Sequence, residues 1–111
     1  MDCDKIISLF DGMIDAINFM LKKDLYEEKD IIKQIKGKTQ KWLNLFRKDK
    51  TLTSIDLDDI IFLDEEVIEL LDRYVTIESY YENYVERLHY NFTLLEKMWK
   101  DEMLGGNKNV W

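Results

Sequence analysis

Proline is missing from this chain altogether, and its 111 residues include only four Gly, one Cys and one His. Without Pro and with so little Gly there is not enough turn punctuation for a sandwich or barrel, so helices joined by short connections are expected. The single Cys3 excludes an intramolecular disulfide and a Cys-based zinc site. No apolar run is long enough to span a bilayer. Residues 1–21 carry four acids and one Lys where a secretory leader starts with basic residues. These absences together point to an intracellular, cytoplasmic protein with a free thiol, no membrane span and no resident cofactor.

What is present describes a folded chain. The hydrophobic fraction is 46% and the charged fraction 35%, enough for one modest core. Residues 1–104 are expected to form a single all-helical domain, with 105–111 as a flexible tail beyond Gly105-Gly106. The formal net charge is -7, but charge is unevenly spread. Residues 22–50 hold ten Lys/Arg against five Asp/Glu, while residues 51–86 hold one Arg against eleven acids. A basic stretch is followed by a strongly acidic one.

Apolar spacing sets the elements. Ile6, Phe10, Met13, Ile14, Ile17, Met20 and Leu21 fall on one side of a helix from Asp4 to about Lys22. Asp24-x-x-Glu27 has the spacing of a capping box and predicts a second helix from Asp24 to about Lys48. Its apolar face is Ile31, Ile32, Ile35, Trp42, Leu43 and Phe46. Residues 49–55 read as a loop and Asp56–Phe62 as a short helical turn. At Leu63-Asp64-Glu65-Glu66 the pattern breaks, because Phe62 falls on the polar side and Asp64 on the apolar one. A fresh helix with Asp64 as N-cap, and Leu63 stapling on Ile68, would repair it.

From there Val67, Leu70, Tyr74, Ile77, Tyr81, Val85, Leu88, Phe92, Leu95 and Trp99 recur at steps of three or four. The retained phase favours the first of two readings of residues 64–103, one long continuous helix; the second divides it, with Ser79-x-x-Glu82 as the cap of a new helix. The expected architecture is an all-α bundle of three to four antiparallel helices.

The residues that carry chemistry are sparse. Glu86-x-x-His89 is half of the motif used by carboxylate di-iron bundles, and the second copy such a site needs is absent. Glu66-x-x-Glu69 is likewise half of the four-carboxylate magnesium site of all-α nucleotide pyrophosphatases. No Glu-x-x-Asp follows it. There is no Gly-x-Ser-x-Gly elbow and no phosphate-cradling glycine loop. The sequence therefore reads as a non-enzyme with no metal site, its His89 a solvated surface residue.

Recognition through helix faces remains. Beside the main stripe of the last helix, Tyr80, Tyr84, Leu94 and Met98 form a second one, and Tyr90 flanks the polar arc. Tyr and Met are enriched where interfaces concentrate their energy, so these five are candidate contacts for a protein partner, including a further copy of the chain. Lys29, Lys33, Lys36, Arg47 and Lys48 share the polar face of the second helix and are candidate nucleic-acid contacts. The acids Asp58, Glu65, Glu66, Glu69, Asp72, Glu82 and Glu86 suggest instead a mimic of nucleic acid that occupies a basic partner. Heavy use of Lys, Ile, Asn, Asp and Glu suits an A+T-rich genome and, with the size, a phage, viral or mobile-element accessory protein. The function expected first is a self-associating protein-interaction module.

Overall fold

The computed structural model describes residues 3–23, 26–74 and 83–104. They form four helices: α1 (Cys3–Lys22), α2 (Lys29–Asp49), α3 (Leu57–Tyr74) and α4 (Tyr84–Met103), with a 3-10 turn at Leu52–Ser54. No strand occurs among the described residues, and none of their helices is long and apolar enough to cross a membrane.

The helices run up, down, up and down. Phe10 meets Phe46 with ring centroids 6.3 Å apart, while the far end of α1 meets the start of α2 at Lys29. In the pair α1–α4, Phe19 stacks on Tyr84 and Gly12 faces Asn91. Partner numbers thus rise on one helix as they fall on the other. The pair α3–α4 behaves likewise, with Asp64 beside His89 and Trp99 Nε1–H donating to the Ile55 carbonyl at 2.8 Å, just ahead of α3. The α1–α4 seam is the most extensive, followed by α3–α4 and α1–α2.

Of the two readings of residues 64–103, the divided one is observed. At 1.5 Å per residue, one continuous helix would hold Asp64 and His89 more than about 35 Å apart, yet their side chains touch at 2.9 Å. The stripe keeps its phase because both helices turn their apolar faces to one core. Val67, Leu70, Tyr74, Val85, Leu88, Phe92 and Leu95 are all buried. Each large apolar side chain so buried contributes about 1.5–3 kcal/mol over leaving it in water. Ile77, Ser79, Tyr80, Tyr81 and Glu82 lie outside the described residues.

Three boundaries differ from the sequence reading. Helix α2 starts at Lys29 rather than Asp24, which itself lies outside the described residues. Glu27 N–H donates to Tyr74 Oη at 3.1 Å instead of joining a capping box, and Tyr26 turns inward to a buried site beside Tyr74, with ring centroids 4.8 Å apart. Helix α3 runs unbroken from Leu57 to Tyr74. Its cap is Asp56, whose Oδ1 accepts the Asp58 N–H at 3.0 Å. Asp64 therefore sits mid-helix, Leu63 is core and Ile68 is exposed, so no staple forms. Helix α4 is capped by Asn83, whose Oδ1 accepts the Glu86 N–H at 2.8 Å.

The opposite end is closed by polar bonds. Glu102, in the last turn of α4, accepts the Leu52 N–H at 2.6 Å and the Thr51 hydroxyl. Helix α2 ends at Lys50, whose φ of 57° is left-handed without being Gly. Its N–H bonds the Phe46 carbonyl at 2.8 Å, the usual way of satisfying a helix C-terminus.

Candidate interaction site

The break in pattern at Phe62 and Asp64 marks two different surfaces. Asp64 faces the α3–α4 seam and is 8% exposed. A carboxylate only accepts, so the imidazole proton of His89 lies on Nδ1, which donates to Asp64 Oδ1 at 2.9 Å. His89 is thus a half-buried seam residue rather than a solvated one. Glu96 completes the group from α4. Burial, and then the nearby charge of Asp64, push its carboxyl above the usual range, against the pull of Lys100 and His89. No set of three His, Cys, Asp or Glu side chains suited to a metal ion occurs among the described residues.

Phe62 points the other way and is 56% exposed. It stands within a row of exposed residues on the outer side of α3: Asp58, Phe62, Glu65, Glu69 and Asp72. Steps of four and three keep them on one stripe. The outer side of α2 carries the complementary row: Lys33, Gly37, Lys41, Asn44, Arg47 and Lys48, all exposed. At its centre Gly37 carries no side chain, which leaves a notch in the row of side chains with open space above it. Basic and acidic rows do not neutralise each other within the molecule. From basic α2 to acidic α3, among the described residues, runs one ion pair, Lys38–Asp59 at 3.9 Å, and it is off both rows. Arg73 and Glu28 cross the same seam in the opposite sense.

Candidate contacts on α4 divide between core and surface. Leu94 and Met98 are half-buried against the molecule's own core. Tyr84 stacks on Phe19, with centroids 5.2 Å apart and planes at 14°. Lys23 and Arg87 lie over its ring at 5.6 and 5.8 Å, and Lys22 lies over Phe19 at 5.7 Å. Tyr90 is 63% exposed and borders a groove of about 510 Å³ lined also by Gly12, Asn83, Glu86, Arg87 and Asn91. Tyr80 lies outside the described residues.

The candidate nucleic-acid contacts are not equivalent either. Lys29 turns back and donates from Nζ to the carbonyls of Met20 at 3.1 Å, Leu21 at 3.0 Å, and Lys23. A cation there meets the negative end of the α1 dipole, which makes it a C-terminal cap for α1. Lys33, Arg47 and Lys48 are exposed and Lys36 is half-buried. Sequence reasoning placed Phe62 and Gly37 on the polar sides of their helices but read one as a break in pattern and the other as a weak point, not as contacts. An apolar residue out of phase in an acidic row, and a Gly at the middle of a basic one, were the available signals.

No family model matches the chain, and no curated protein or solved structure was found that resembles it.

Proposed function

We propose that this chain is a non-enzymatic helical interaction module whose first partner is a further copy of itself. The reading rests on one observation: the folded bundle leaves large apolar side chains uncovered within rows of charge, Phe62 on α3 foremost. An aromatic side chain ringed by polar groups is the arrangement with which interfaces concentrate their energy. The main site therefore shifts from the candidates on α4, of which Tyr84, Leu94 and Met98 pack against the molecule's own core, to the outer rows of α2 and α3. The composition favours a phage, viral or mobile-element accessory setting for such a module.

The test is the absolute mass in solution, by light scattering on a sizing column across a wide range of concentration. A mass that rises with concentration is expected. A strict monomer throughout would end the self-association reading.

A second reading, contact with nucleic acid through α2, draws on the exposed cations Lys33, Arg47 and Lys48. It loses Lys29 to the cap on α1. It calls for a mobility shift that weakens steeply with salt and vanishes when Lys33 and Arg47 are changed to Glu. A shift unmoved by those changes would dismiss it.

A further inference from the structure

The rows on α2 and α3 are complementary in more than sign. Both lie on the outer side of their helices, away from the core residues Ile35, Trp42 and Phe46 of α2 and Ile60, Val67 and Leu70 of α3. Among the described residues no ion pair joins the two rows within one molecule. Laid side by side and parallel, with Phe62 level with the Gly37 notch, Asp58 comes level with Lys33. In the same register Glu65 and Glu66 come level with Gln40 and Lys41, Glu69 with Asn44, and Asp72 with Arg47. Like charges meet only at the end, where Arg73 comes level with Lys48. The antiparallel alternative brings Glu69 level with Asp30 and leaves Arg47 and Lys48 beyond α3. A side chain of one helix entering a gap in the facing one is the ordinary unit of helix packing.

From this we infer that copies of the chain associate head to tail, the acidic row of α3 in one copy docking on the basic row of α2 in the next, with Phe62 seated at Gly37. The inference rests on the self-association proposed above and names its surfaces. Because the two surfaces differ, the contact does not close on itself. It adds copies in sequence until a ring shuts or a filament grows. Opposite charge steers the encounter and sets the register, and the Phe62 ring supplies the buried apolar contact.

Two variants separate the surfaces. Phe62→Asp removes the knob and leaves α2 intact; Gly37→Glu fills the notch, puts a negative charge into the basic row and leaves α3 intact. Both sites are exposed, and losing a helix-interior Gly favours the helix, so melting curves should show each variant folded. Sedimentation equilibrium is the readout. Wild type is expected to grow in mass with concentration, and to do so about tenfold less readily at high salt. Each variant alone should stay monomeric. An equal mixture should stop at a dimer, because one good α2 row meets one good α3 row and both remaining rows are spoiled.

If wild type is monomeric, self-association itself is wrong. If wild type associates and the variants associate equally well, self-association stands and this pairing is wrong. Monomeric variants whose mixture also stays monomeric would equally overturn the pairing, since they would require one copy to use both rows at once.

Discussion

Two glutamates in this bundle are driven in opposite directions. Glu28, at the junction of α2 and α3, accepts from the Tyr74 hydroxyl and from Arg73. The Tyr74 bond above all holds its carboxyl below the usual range. Glu96, on the α3–α4 seam, is raised by burial and by the neighbouring Asp64. Both side chains are partly withdrawn from solvent, so withdrawal alone does not decide the outcome. Donor supply does. Glu28 has two donors to itself, whereas the His89 Nδ1–H near Glu96 is given to Asp64.

The two sites consequently respond to acid with opposite signs. A carboxyl whose folded pKa is lowered supports the fold above the ordinary carboxylate range and loses that support as pH falls through its folded pKa. One whose folded pKa is raised holds its proton better folded than unfolded, so its ionisation weighs against the fold as pH rises.

The strongest way to break the comparison is Tyr74→Phe. It removes the donor to Glu28 and the acceptor of the Glu27 N–H together. A loss of about 1–3 kcal/mol is expected in urea unfolding at neutral pH, shrinking once Glu28 is protonated. An equal loss at every pH would mean that the bond accepted from the Glu27 N–H, not the one given to Glu28, carries the effect. Next comes Glu96→Gln, which should raise the melting temperature at neutral pH by a gain of a few tenths to about 1 kcal/mol, reduced by solvent screening. In acid the gain should vanish, and a destabilised variant at neutral pH would refute the crowding argument. Smallest is Lys50→Gly, a control away from both sites. Relieving its left-handed backbone should add up to about 1 kcal/mol. That gain should stay flat across the pH range in which the two glutamates diverge.

The helical class, the extent of α1 and most of the core could be read directly, because apolar periodicity is a local signal repeated many times. Where it misled, at residues 64–103, two helices share one core and so carry one phase; periodicity does not record a reversal of direction. Asp64 was visible as an anomaly, but its meaning depended on His89, a partner that only folding brings near. Tyr26 and Lys29 escaped for a related reason. One buried ring in a connection has no period, and a lysine that caps the preceding helix looks in sequence like any other in a basic row. The rows on α2 and α3 were legible as charge; that their centres are a notch and a knob needed the helix exteriors to be known.

The α1–α4 seam, formed between helices far apart in sequence, has a consequence for how the chain is made. During synthesis α1 emerges well before α4, and α2 covers just part of the apolar surface that α1 will bury. The rest stays wet until α4 has left the ribosome. An α1–α2 hairpin released early would lack its largest contact, so a truncated product should be a substrate for chaperones and proteases rather than a smaller stable domain. Folding to completion waits on the fourth helix.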